Sequence, residues 1–254
     1  MGCAGSTGYT SAAIAEDKAA IASAKVDFKQ IWNGLLMLDE MNEGKAGTNV
    51  ESVLKCVKGP GGNGAGQLQD TNGTVLLDIV PGGNKYTTFN TPDGVTVALI
   101  ANTLEGDSKK VMYEAFANRT PMEWVIWTAE DAAQTGQPPV ATPAGVSMYK
   151  FGSIKMRNER VSFFDSSATK VMTVKNDLAK CDPFKPFTVR LYSADGTTPM
   201  AVVEGMWPAV DRSLSWRGEV TFAKGLDPII ALCMAVAGNS FALSLTNCEA
   251  QTAF

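Results

Sequence analysis

The 254-residue chain contains no histidine. Its absence removes the side chain that most often serves as general base near neutral pH and as a metal ligand. No Ser-His-Asp or Cys-His site can be assembled from these residues. The five cysteines (Cys3, Cys56, Cys181, Cys233 and Cys248) include no CxxC pair, so zinc-site and dithiol redox motifs are missing. Their odd number and wide spacing read as free, mostly buried thiols in a reducing compartment. Long hydrophobic runs are scarce. The longest, "IIALCMAVA" (Ile229–Ala237), is too short to cross a bilayer and reads as a buried segment. The start, "MGCAGSTGYT", lacks the charged and apolar regions of a secretory signal. No run of like charges stands out, and a net charge of -4 argues against a dedicated nucleic-acid binder.

Several short patterns invite a chemical reading, each against a plainer one. Glu130 and Asp131 are adjacent acids, but neighbours on a strand point to opposite faces, so a solvated strand end is preferred to a carboxylate pair. Gly59-x-Gly61-x-x-Gly64 matches a dinucleotide fingerprint by letters. That fingerprint must open a helix, whereas "QLQDTNGTVLLDIV" follows as a turn and a strand, so a loop between strands is expected. "MGCAGS" fits an acylation pattern, with Gly2 as myristoyl acceptor and Cys3 as palmitoyl candidate; the competing reading is a small-residue terminus. Asn72 and Asn118 sit in glycosylation acceptor patterns that, without a secretory signal, read as chance. The sequence therefore predicts no catalytic, cofactor-binding or metal-binding residue.

Residues 1–44 read as a helical arm. Ile14, Ile21, Phe28 and Leu35 recur every seven residues, with Ala24, Ile31 and Leu38 between them and Asp17 as the exception, giving one long helix ended by Gly44. It either lies on its own domain or packs as an arm on a neighbouring subunit. Residues 45–254 change texture, with short β-rich runs such as "SVLKCVK", "VTVALIANTL", "MEWVIWT" and "FALSLTN" between turns such as "DTNG", "TPDG" and "SADG". Two short helices are expected among them, at Asp107–Arg119 and Asp165–Lys180, each opened by Asp-Ser. "QTGQPPVATPAG" (Gln134–Gly145) reads as a surface loop, since its prolines cannot donate to a sheet. The expected fold is α+β, mainly β: an antiparallel β-sandwich or barrel with two short helices and a long N-terminal helix.

The chain also echoes itself. "PMEWVIWTAED" (Pro121–Asp131) and "PFTVRLYSADG" (Pro186–Gly196) both run from Pro through an aromatic and a small hydroxyl to an acid. Each follows a segment with Asp-Ser and Lys-Val-Met, so residues 107–164 and 165–225 stand as a candidate internal duplication. The second copy, "PFTVRLYSADGTTPMAVVEGMW" followed by "PAVDRSLSWRGEVTFAKG", resembles the tail tube proteins of tailed bacteriophages. The resemblance covers 165–225 and, more loosely, 107–164. It implies a structural virion protein, made in the host cytoplasm, that self-assembles into rings stacked as a hollow tail tube for genome passage. Its partners would be itself and other virion proteins, with no enzymatic activity, cofactor, specific nucleic-acid binding or transmembrane segment. Two other readings compete: another self-assembling capsid or decoration protein, and an N-acylated peripheral-membrane or ligand-binding protein.

Overall fold

The computed structural model describes residues 11–24, 26, 31, 53–60, 65–82, 85–103, 122–157, 160–175, 187–208, 214–215 and 218–238. They form a short helix α1 (Ser11–Ser23), then β1 (Val53–Lys58), β2 (Gly66–Gln69), β3 (Val75–Gly82), β4 (Tyr86–Asn90), β5 (Thr96–Asn102), β6 (Met122–Thr128) and β7 (Val140–Ala141). The chain continues through β8 (Ser147–Arg157), β9 (Arg160–Asp165), β10 (Lys170–Val174), β11 (Phe187–Ser193), β12 (Pro199–Pro208), β13 (Leu214–Ser215) and β14 (Gly218–Phe222). A second short helix, α2, occupies residues 228–238.

Twelve of the strands close on themselves. The antiparallel order is β11-β10-β9-β8-β6-β5-β4-β3-β2-β1-β14-β12, and β12 pairs back to β11. The fold is thus mainly β, as the sequence predicts, and of its two architectures the barrel is correct and the sandwich is not. Strand alternation explains the closure. Leu54 and Cys56 on β1, Leu77 and Ile79 on β3, Trp124 and Ile126 on β6, and Val189 and Leu191 on β11 are buried at a period of two and share one core. β8 breaks the period: Ile126 pairs Gly152 but Trp127 pairs Lys150, which leaves Phe151 as the extra residue of a bulge.

α2 lies inside the barrel. Every residue from Ile229 to Ala237 is between 0 and 7% exposed, and these residues share a core with inward side chains from all twelve barrel strands. A helix buried on every face must be apolar all round, which is what "IIALCMAVA" supplies. The expectation of a buried segment holds, and its form is helical. Its start carries strong signals: the Asp227 carboxylate accepts from the Ile229 N–H (2.9 Å), and Pro228 stands at the first helical position.

Three expectations need correction. The long N-terminal helix is not found: α1 ends at Ser23, and neither Ala24, Val26 nor Ile31 is helical. The chain is instead recruited by the barrel, with the Val26 N–H donating to the Lys224 carbonyl (2.7 Å) over Gly225. Gly225 has φ +88°, and a Cβ there would come within 1.8 Å of the Val26 carbonyl oxygen. The helix expected at Asp165–Lys180 is a hairpin as far as Val174. Asp165 does cap, but its carboxylate accepts from the Ser167 and Thr169 N–H groups (both 2.9 Å) to close a turn into β10. Its strand, "KVMTV", is β-branched at three of five positions. The stretch Gln134–Gly145 is mostly exposed as expected, yet Val140–Ala141 pairs with Ser147–Met148 as β7. Residues 1–10, the expected helix at Asp107–Arg119 and "FALSLTN" lie outside the described residues.

One turn design recurs. In the hairpins opened by Asp70, Thr91, Thr142 and Asp165, the first residue donates to a carbonyl four residues on and accepts from the N–H three residues on. Ser193 opens the same design with its closing carbonyl, Thr198, one residue further. The residue three on is a left-handed glycine in each case but one, where Ala168 takes φ 60°. The ending of "PFTVRLYSADG" is therefore turn chemistry: Asp195 accepts from the Ser193 hydroxyl (2.5 Å) and the Thr197 N–H (3.1 Å). The upstream copy ends otherwise, with Asp131 accepting from the Thr135 and Gly136 N–H groups (3.0 and 2.7 Å).

Candidate functional site

Some of the patterns weighed in the sequence fall on described residues. Gly59 to Gly66 joins the antiparallel pair β1 and β2, closed by the Gly59 N–H to the Ala65 carbonyl (2.9 Å), so it opens no helix. Glu130 is exposed, and Asp131 is the loop cap just described. Cys56 and Cys233 are free, buried thiols; burial pushes Cys56 up to about 12 and raises Cys233, with the negative Asp227 adding to the latter. Gly2, Cys3, Cys181 and Cys248 lie outside the described residues.

The concentrated polar chemistry lies under α1. Strand register places Arg190 on β11, Val202 on β12 and Thr221 on β14 in one row across the outer face of the barrel. Alternation adds Tyr192 to the same face. α1 lies over β12 and β14 and lowers Asp17 onto this row. The Arg190 guanidinium donates through Nε to Asp17 Oδ2 (2.5 Å) and through Nη2 to the Tyr192 hydroxyl (2.8 Å), and that hydroxyl donates to Asp17 Oδ1 (2.5 Å). Asp17 and Arg190 are both 6% exposed. Lys175 Nζ stands 4.2 Å over the Tyr192 ring.

The electrostatics follow. Burial pulls the Asp17 carboxyl upward, but the hydrogen bonds from Arg190 and Tyr192, with the charges of Arg190 and Lys175, outweigh it and hold the group below the usual carboxylate range. Tyr192 is raised to about 12, first by burial and then by its bond to Asp17. Two further contacts flank the cluster. Lys18 bridges Glu204 on β12 and Glu219 on β14. Ile21, 1% exposed, packs on Val202 and Ala223. Removing one partner from the Asp17–Arg190 pair would leave a buried charge uncompensated, a loss of about 3–5 kcal/mol.

A second buried carboxylate ties the same segment to the interior. Asp227, 0% exposed, accepts from the Ile31 N–H (2.8 Å) as well as capping α2. In the sequence Asp17 is visible only as the exception in an apolar stripe, and Arg190 only as a charge between Val189 and Leu191. Either oddity was a signal, but nothing in the letters joins residues 173 positions apart.

Neither a family model nor a curated protein matches the chain. Among solved structures, an Arabidopsis thaliana protein determined by X-ray crystallography is similar at 10% identity, covering 74% of this chain and 90% of that one with a TM-score of 0.42. That likeness is too distant to bear on function. Among the described residues, no group of three or more Cys, Asp or Glu is placed to hold a metal ion, and no helix is long and apolar enough to cross a membrane.

Proposed function

We propose that the protein is structural and non-catalytic, and that it acts by self-assembly through the outer surface of the barrel. The observation that supports this most is the filled interior: α2 occupies the space where a barrel of this size would otherwise hold a ligand or a channel. The buried charges lend further support, because Asp17, Arg190 and Asp227 are engaged in fastening chain segments to one another. In its specific form, taken from the resemblance of 165–225, the function is that of a phage tail tube subunit. Genome passage would then run through the hole at the centre of a ring and not through any one barrel. A closed barrel has no free edge among its twelve strands. Ring contacts would therefore fall to side chains, to loops, and to the short flanking strands β7 and β13.

Light scattering across a concentration series, with negative-stain microscopy of the same samples, tests the proposal. Rings or tubes are the expected result. Closed shells would replace the tail tube with a capsid or decoration role, and monomers at every concentration would remove self-assembly altogether.

A further inference from the structure

We propose that the socket under α1 is an exchange interface, built to receive α1 from a second copy of this chain as well as its own. The inference rests on the self-assembly reading and names the surface that would carry it. The chain beyond α1 is fastened to its own barrel by the Val26 and Ile31 N–H groups, bound to Lys224 and Asp227. α1 itself is held through a few side chains on one face. Ile21 is its one fully buried apolar side chain, with Ile14 part-buried against the same cluster; Asp17 is its one buried polar side chain, and Lys18 a partly exposed bridge. Most of its other residues, including Ala12, Ala15, Glu16, Ala19 and Ala20, are exposed.

Undocking α1 would uncover Ile21, Val202 and Ala223 and break the bonds of Asp17 to Arg190 and Tyr192, and docking on a second copy would remake each of these contacts. Val26 and Ile31 would keep their bonds to Lys224 and Asp227, leaving the rest of the described fold in place. The uncovered socket makes three demands in fixed order along a helix. Arg190 and Tyr192 require an acid, Glu204 and Glu219 require a base at the next position, and Val202 and Ala223 require an apolar residue one turn further. Asp17, Lys18 and Ile21 meet all three, and every copy of the chain carries them. Because Val26 stays on its own barrel, exchange brings two barrels together at this face.

The test uses the full-length wild-type protein. Unlabelled and nitrogen-15-labelled chains are mixed and treated with a zero-length carbodiimide, which joins Lys18 to Glu204 where they pair, and the joined peptides are weighed. Conjugates of one heavy and one light peptide, rising with concentration alongside the mass by light scattering, are expected. If assemblies form but every conjugate is heavy–heavy or light–light, exchange is wrong and self-assembly stands. If no assembly forms at any concentration, both fall. A charge-swapped pair adds a second readout: Asp17→Lys and Arg190→Glu chains should each lose the assembly alone and regain it when mixed. Folded partners that fail to regain it would overturn the proposal. Should either variant not fold, the isotope experiment decides.

Discussion

Asp227→Ala is the most informative single substitution. The carboxylate is fully buried and serves two N–H groups, Ile229 at the start of α2 (2.9 Å) and Ile31 in the N-terminal segment (2.8 Å). A buried donor stripped of its acceptor costs about 1–3 kcal/mol, so losing both should cost about 2–6 kcal/mol. Against a typical domain stability of about 5–15 kcal/mol, that brings the fold close to its limit. Urea denaturation followed by circular dichroism gives the number directly. Two companion variants separate the bonds. Asp227→Ser retains an oxygen that can cap α2 but is too short to span to Ile31, so it should recover roughly the helix-capping share of about 1 kcal/mol. Asp227→Asn keeps one acceptor and turns an amide toward the other donor, so it should fall between wild type and alanine. A loss below about 0.5 kcal/mol for Asp227→Ala would refute the two-bond account, since that is the range of an unremarkable surface change.

Other outcomes follow from the same geometry. Ala168→Gly should stabilise by up to about 1 kcal/mol in thermal or urea melts, because the alanine holds a left-handed φ of 60° where equivalent turns use glycine. Gly152→Ala should cost about 1–3 kcal/mol, since its Cβ would meet the Phe164 carbonyl oxygen at 2.5 Å and the Phe163 ring at 2.8 Å. Mass spectrometry after native thiol labelling should find Cys56 and Cys233 unmodified, and labelled only once urea opens the barrel. The difference in stability between wild type and Asp17→Asn should persist at neutral pH and shrink in acid, as pH falls through the lowered folded value of Asp17. The difference between wild type and Tyr192→Phe should instead be complete below pH 10.0 and shrink toward pH 12, because the folded state raises Tyr192 from 10.0 to about 12.

Strand alternation and turn chemistry were legible in the sequence because they are local. "MEWVIWT" coincides with β6, and "TPDG" and "SADG" are the turns they spell. What misled was also local. The heptad stripe through Phe28 and Leu35 argued for one helix, yet the backbone of Val26 finds its hydrogen bond on Lys224, a partner 198 residues away that no periodicity displays. "KVMTV" carried helical spacing and an Asp-Ser cap, but Asp165 caps a tight turn as readily as a helix, and β-branching decided between them. The polar socket was unreadable for the same reason. Arg190 and Asp17 each look misplaced alone, and only barrel closure sets them within bonding distance.

The size of the barrel and the character of α2 explain each other. Eight strands enclose a space that their own side chains just fill, and the enclosed width grows with strand number. Twelve strands therefore need something more inside, and a short helix of Ile, Leu, Met, Cys, Val and Ala is slim enough to enter and apolar enough to stay. α2 follows β14, the last of the described barrel strands in sequence. The Asp227 carboxylate stands where that helix, its entry turn and the N-terminal segment meet. Under the proposed self-assembly, contacts with a second copy fall to the outer face, where the row of Arg190, Tyr192 and Val202 lies beneath α1.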